Sequence, residues 1–329
     1  MKRFKNILCV VVSGSKGGAA LNRAAMLAEN NQASLTVVEV IDEIPSNTKF
    51  LDHLPSSEAL QATRVNEHRQ RLEELAAPWR NNIDIQINVL SGTPFLEIIS
   101  DVLRNNRDLV IKTAESGGLL DRVFGSNDMH LLRKCPCPVW LAKPESPNSY
   151  QRILAAVDVD DDYPLEELNA RHQLNRQILE MASSLALSEF AELHIVHAWE
   201  AIGESAMRRF FVDVPEEEIS VYIDEVRQQH GENLNVLISE VMNQAEQHTL
   251  DYLTPKIHQP RGLPRKEVPA LAERIEADLV VMGTVARTGI SGLFMGNTAE
   301  TILNRLNCSV LAIKPPGFVT PVTRENSWE

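Results

Sequence analysis

The sequence predicts an α/β protein built from two tandem domains, each a five-stranded, parallel, doubly wound sheet. Three observations carry that expectation. Segments of the first half recur in the second half in the same order. Short β-branched runs alternate with stretches whose apolar residues return at helical spacing, as Leu174, Ile178, Met181 and Leu185 do, which indicates a parallel sheet covered on both faces. In the second half the run "ADLVV" leads into a loop rich in glycine and then into a helical pattern.

The elements follow from the offsets between the halves. The first strand "NILCVVV" (6–12) answers "RILAAVD" (152–158) at an offset of 146. The helix "LNRAAMLA" (21–28) answers "LNRQILEMA" (174–182) at 153, and the second strand "ASLTVVEV" (33–40) answers "AELHIVHA" (191–198) at 158. A long helical region, roughly 42–80 and 200–247, follows and differs most between the copies, which marks it as a place for ligand specificity. After a third strand, "GTPFLEII" (92–99) answers "GLPRKEVP" (262–269) at 170, as the fourth strand "DLVIK" (108–112) answers "DLVVM" (278–282). The last strand "PVWLAKP" (138–144) answers "SVLAIKP" (309–315) at 171. The offset only grows, so the second copy is the first with insertions confined to connections. One domain is therefore expected at 1–148, a second at 149–315, and a polar tail at 316–329. Unpaired, the two last strands would each leave an apolar sheet edge open. Pairing them inside one chain closes both as an intramolecular pseudo-dimer, and leaves further self-association open.

Composition narrows the function. A chain of 329 residues can bury two cores. Residues 1–150 carry 17 Lys+Arg and 17 Asp+Glu, and residues 151–329 carry 15 and 28, so the whole net charge of −13 lies in the second half. Nucleic acid and anionic membrane surfaces are therefore not expected partners, because phosphate contacts demand a basic face. No apolar run approaches the roughly 20 residues of a membrane-spanning helix. The start "MKRFKNILCVVVSGSKGGAA" reads as a first strand rather than a signal peptide, because its apolar segment is short and Lys16 follows closely. The four cysteines show neither CxxC nor zinc half-site spacing and read as buried free thiols in a reducing cytoplasm.

The stretch "MGTVARTGISGLFMGNTAETILNRL" (282–306) holds glycine at Gly283, Gly289, Gly292 and Gly296. Ligands of open α/β sheets sit beyond the carboxyl ends of the strands, where Gly283 ends the fourth strand and the next helix begins. "NTAE" offers Asn297 as N-cap with Glu300 at capping-box spacing, so the helix would start at Asn297 or Thr298 and present free N–H groups to an anion. The same glycines also suit a tight, packed connection. Neither GxxxxGK[ST] nor GxGxxG occurs in the loop.

In combination these residues resemble the universal stress protein family, and more narrowly its tandem, E-type members, in which "GTxxRTGIS", "GNTAE" and "HLLRKCP" recur. The resemblance covers about residues 4–315 and implies an adenine nucleotide alpha hydrolase-like fold. Family members that bind ATP carry Gly, two residues, Gly, nine residues, Gly and then Ser or Thr, with an Asp closing the first strand. Carried over, Gly283 and Gly296 keep the outer glycines, and Ala286 stands at the middle one. Asn297 followed by Thr298 stands at the hydroxyl position, and Asp158 matches the aspartate on the adenine side. Met282 and Val285 would line the pocket, and Arg287 is the one cation of the loop. The resemblance thus implies a cytoplasmic, ligand-binding stress-response module whose cofactor, ATP with Mg, would lie in the second domain. The first copy has Val12 at the aspartate position, Thr113 for the first glycine and a loop one residue shorter, with Gly125 and Ser126 retained. It is not expected to bind ATP in the family mode. Its "SGSKGG" (13–18) reads as a βα turn or a phosphate cradle.

Two further readings keep the fold and change the ligand. The variable helical regions, with "FFVDVP" and "VYI", would roof a cavity for an apolar or mixed, lipid-like metabolite, or the chain would carry a flavin for electron transfer. Catalytic chemistry is thin. His194 and His197, three apart on a strand, point to opposite faces, while His130 and His258 stand alone. Asp160, Asp161 and Asp162 suit a solvated turn or a divalent cation. No nucleophile, base and orienter assemble, so no catalytic residues are expected and ATP turnover would be slow at most.

Overall fold

The computed structural model describes residues 4–12, 18–45, 56–115, 124–210, 214–243, 253–284 and 295–323. In the first half, β1 (Asn6–Val11), α1 (Gly18–Asn31), β2 (Ser34–Ile41), α2 (Ser57–Ala76), β3 (Ile85–Ser91), α3 (Pro94–Asn105), β4 (Leu109–Thr113), α4 (Ser126–Lys134) and β5 (Val139–Ala142) follow in order. The second half runs β6 (Arg152–Ala156), α5 (Leu165–Glu189), β7 (Glu192–Val196), α6 (Glu204–Phe210), α7 (Glu216–Asn243), β8 (Lys256–His258), α8 (Pro264–Arg274), β9 (Leu279–Gly283), α9 (Asn297–Leu303) and β10 (Ser309–Ile313).

Central strands such as β1 and β4 are buried on both faces, which only unbroken apolar runs allow. Alternate residues feed two core layers. Ile7, Cys9, Leu35, Ile111, Ile153, Ile195 and Val281 face α1 and α5, while Leu8, Val10, Val110, Leu154, Val280 and Val310 share the other layer with apolar residues of α3, α4, α8 and α9. Each layer takes residues from both halves.

All ten strands form one sheet in the order β3-β2-β1-β4-β5-β10-β9-β6-β7-β8. Read outward from the middle, both halves have the same strand order, and every pairing is parallel except one. That exception is the junction, where β5 and β10 run antiparallel with Leu141 opposite Val310 and Trp140 opposite Leu311. Parallel strands inside each half and an antiparallel seam between them are what a pseudo-twofold axis requires, and the seam consumes the two edges that a tandem repeat leaves free.

The repeat also holds at single residues. Gly92 (φ +135°) and Gly262 (φ +145°) precede α3 and α8 in corresponding places, where the backbone needs a residue without a Cβ. Two expectations are refined. Only 57–76 and a following 3-10 turn are helical within the 42–80 region, with 46–55 outside the described residues. The tail expected to be polar contributes Val322, 7% exposed, to the core, so the chain remains packed past β10. Among the described residues no helix is long and apolar enough to cross a membrane.

Candidate functional site

A cavity of about 400 Å³ opens at the carboxyl ends of β6, β7 and β9. It lies between the described ends of the second domain's glycine loop and α5 and α8, and the strand ends and the start of α9 supply its polar groups. Asp158 continues β6, His197 and Trp199 continue β7, Met282, Gly283 and Thr284 come from β9 and its end, and Gly296, Asn297 and Thr298 begin α9. Six of the residues singled out in the sequence thus share one lining: Asp158, Met282, Gly283, Gly296, Asn297 and Thr298. Val285, Ala286 and Arg287 lie outside the described residues, as do Gly289 and Gly292 of the loop and residues 13–17 of "SGSKGG".

The helix start departs from the expected cap. Gly296, not Asn297, is the N-cap residue of α9, with φ −62° and ψ 139° and no side-chain cap. Its N–H donates to the Thr284 carbonyl at 3.2 Å, which joins the two described ends of the loop, and the helix starts at Asn297, the earlier of the two expected positions. Asn297 and Thr298 are left exposed in the first turn. Glu300 does not reach back to complete a capping box. Its carboxylate pairs instead with Arg133 on α4 of the other domain.

Asp158 is already engaged. Its Oδ2 accepts from the Tyr163 hydroxyl at 3.0 Å and from Arg171 Nη1 at 3.1 Å, while Asn175 on α5 bonds both its backbone N–H and its carbonyl. The Arg171 guanidinium also lies 3.4 Å from the centre of the Tyr163 ring. Burial, and then the Asp158 charge, push the Tyr163 hydroxyl up to about 12, so it remains a donor to that carboxylate. Sequence spacing did not single out Tyr163 or Arg171. The one signal available was a tyrosine five and an arginine thirteen residues after the strand-closing aspartate.

The facing wall is aromatic. His197 is buried, its Nε2 is 3.0 Å from His230 Nδ1 on α7, and Trp199 donates its indole N–H to the Gln259 carbonyl at 3.2 Å. Burial lowers the His197 pKa, so the ring is neutral at pH 7. Thr284, fully buried, accepts from Lys314, which also donates to the Leu132 carbonyl of the first domain.

A Cβ at Gly283 would lie 2.7 Å from Leu174 Cδ2 on α5, the far end of a flexible side chain that would have to shift to admit it. The remaining histidines do not stand alone. His258 Nε2 lies 2.9 Å from His194 Nδ1, and His130 stacks on Phe95 with centroids 4.4 Å apart. Asp160, Asp161 and Asp162 cluster as an exposed acidic turn in which the Asp160 carboxylate accepts the Asp162 N–H. Chemically the cavity offers an acceptor and a cation at Asp158 and Arg171, amide and hydroxyl groups at Asn297 and Thr298, and aromatic faces between them.

At the corresponding place the first domain carries buried ionic side chains. Lys112 Nζ donates to Asp128 Oδ1 at 2.6 Å and to Glu115 Oε1 at 2.9 Å, and Asp128 Oδ2 accepts the N–H groups of Glu115 and Gly125 at the start of α4. A carboxylate of the chain itself thus accepts the N–H group that leads into α4.

Comparison with known proteins agrees with the duplication. The profile of the universal stress protein family matches residues 3–143 and again 149–314. The chain is 31% identical over 330 residues to universal stress protein E of Escherichia coli K12, covering 98% of both chains, and 30% identical to the universal stress protein E homolog of Haemophilus influenzae, covering 95% of this chain and 98% of the other. The crystal structure of a universal stress protein from Pseudomonas aeruginosa UCBPP-PA14 superposes with a TM-score of 0.66 at 26% identity, over 95% of this chain and 94% of that one. A universal stress protein from Archaeoglobus fulgidus at 20% identity shares the fold, with a TM-score of 0.58. The chain belongs to the universal stress protein family, in the tandem form that carries two family domains in one polypeptide.

Proposed function

We propose that the second domain binds an adenine nucleotide, ATP carried with magnesium, and that the chain acts as a ligand-binding stress-response module with little or no turnover. One observation carries this reading: the residues that match the family's ATP positions, Asp158, Gly283, Gly296, Asn297 and Thr298, line a single cavity whose volume of about 400 Å³ lies in the range of small-molecule sites. The donor set suits the group. Asn297 and Thr298 would meet phosphate oxygens, and Asp158 with the neutral His197 and Trp199 would meet the base and ribose. Magnesium would be held chiefly by the phosphates, as is usual for this cation. Bound in this way, the nucleotide would exchange the Tyr163 and Arg171 partners of Asp158 for its own donors.

Calorimetric titration of MgATP tests the reading. Wild type is expected to bind in the micromolar range, about −8 kcal/mol, and Gly296→Val to abolish binding by blocking the loop end. Gly125→Ala in the first domain should leave it unchanged. Binding that survives Gly296→Val, or fails in Gly125→Ala, would overturn the assignment.

The apolar share of the same lining, Ile178, Ile202, Val268 and Ile302, favours a second reading, a mixed or lipid-like metabolite. Native mass spectrometry of the freshly purified protein separates the two, because a co-purifying nucleotide and a lipid differ plainly in mass.

A further inference from the structure

Cys135, Pro136 and Cys137 connect α4 to β5, away from the cavity lining, and the two sulfurs lie 3.6 Å apart in a hydrogen bond. Cys135 is fully buried, whereas Cys137 is 8% exposed and forms the outward side of the pair. Lys314, just past β10, is buried with its ammonium on the Leu132 carbonyl and the Thr284 hydroxyl, 5.2 Å from the Phe318 ring centre, and its charge acts on Cys135 from there. Among the described residues it has no carboxylate partner. A buried ammonium without a counter-ion is costly, and the sulfurs on which its charge acts are the groups that can take up negative charge.

The charges that act on the pair are Lys314 and, for Cys137, Asp108 at the start of β4. At Cys135 burial raises the thiol pKa, but the hydrogen bonds with the Cys137 side chain and backbone, and after them the Lys314 charge, outweigh it and leave Cys135 below its ordinary value. Cys137 stays well above its own, through that hydrogen bond, burial and the Cys135 and Asp108 charges. Burial brings Lys314 down to about 7, which places its proton within reach of neutral pH. The other two thiols, Cys9 and Cys308, are pushed by burial up to about 12 and have no second sulfur hydrogen-bonded to them.

We infer that Cys135 and Cys137 form a redox-active dithiol that a small hydroperoxide converts to a disulfide within the chain, with Lys314 as the positioning residue that holds the Cys135 thiolate. The Cys135 sulfur attacks hydrogen peroxide, an S–O bond forms as the O–O bond breaks, and the departing hydroxide takes a proton and leaves as water. Cys137 gives up its proton and attacks the resulting sulfenic sulfur. The S–S bond forms, the S–O bond breaks, and a second water leaves, so two thiols lose two electrons to one peroxide. The sulfurs must close by about 1.5 Å to reach bonding distance, a movement of two side chains on one short segment. Nucleotide binding is not required.

The four cysteines provide internal controls. Folded protein treated with hydrogen peroxide, then denatured, alkylated and digested, should yield the Cys135 peptide lighter by two hydrogens and free of alkyl groups, while Cys9 and Cys308 are alkylated throughout. Cys137→Ser should stop at a Cys135 sulfenic acid that dimedone captures. Lys314→Met should slow disulfide formation about three- to fourfold at pH 7 for each unit by which the thiol pKa rises, the loss of thiolate being partly offset by its higher nucleophilicity, and should move the pH midpoint of the rate upward. Oxidation of Cys9 or Cys308 ahead of the pair, absence of dimedone adduct in Cys137→Ser, or a rate and midpoint unchanged in Lys314→Met would each overturn the assignment.

Discussion

Lys112 Nζ and Asp128 Oδ1 lie 2.6 Å apart, fully buried, at the places that Met282 and Ala299 hold in the second domain. A buried ion pair in the first domain thus stands where the second domain has two uncharged side chains that line its cavity. Burial raises the Asp128 pKa, against the lowering effect of Lys112, so the pair is stable only as a pair.

Asp128→Asn retains the acceptor for the Glu115 and Gly125 N–H groups but leaves the Lys112 ammonium short of its buried counter-ion. It should destabilise the protein by about 3–5 kcal/mol. The double replacement Lys112→Met with Asp128→Ala, which installs the second domain's residues, should recover most of that loss because both charges go together. Urea unfolding of the three proteins checks this, and a neutral single variant would refute it.

Arg23 on α1 is buried at the junction of the halves. It pairs with Glu189 at the end of α5, donates to the Pro147 and Asn148 carbonyls, and lies 3.8 Å from the Tyr150 ring centre. Arg23→Ala strands the Glu189 carboxylate and should cost about 3–5 kcal/mol. Loss of the clamp should also weaken recombination of separately expressed halves, which size-exclusion chromatography of mixed halves would measure.

Acid should destabilise the fold below pH 6.5. His130, His194, His197 and His258 all have pKa values lowered in the folded state, each chiefly by burial. Below the unfolded value of 6.5 the unfolded chain binds more protons, so stability present above that pH falls as pH drops, by at most about 1.4 kcal/mol per pH unit for each histidine. At lower pH the raised Asp128 and Glu189 work in the opposite sense. Unfolding free energies between pH 7.5 and about 5.5 should show the slope, with a shallower one in His194→Gln.

Gly283 and Leu174 should couple. Gly283→Ala brings its Cβ onto Leu174 Cδ2, which can turn toward the cavity it lines, and should cost about 1 kcal/mol, the low end of the overpacking range. Leu174→Ala alone costs about 2–5 kcal/mol, and the double variant should be less destabilised than the sum by about 0.5–3 kcal/mol. Simple additivity in the double-mutant cycle would exclude the steric explanation.

Much of the architecture was legible in the chain. The order of elements, their duplication and the pairing of the two last strands follow from local periodicity and from edges that must be covered, and both kinds of information are written in contiguous residues. The placement of Asp158, Gly283 and Gly296 at the carboxyl edge was legible because each lies at or just past the end of a strand or at the start of a helix, where sequence position alone decides location.

What tertiary structure decided are the partners. Asn297 looks like an N-cap until the Thr284 carbonyl takes the Gly296 N–H, and Glu300 looks like the far half of a capping box until Arg133, 167 residues away, takes its carboxylate. Lys314 reads as the polar end of a strand, yet folding buries it against a carbonyl of the other domain, where its charge acts on two cysteines. Hydrogen bonds and ion pairs depend on distance in space. Periodicity reports which face of an element a residue occupies, while the group it meets there is set by the packing of segments that the sequence keeps far apart.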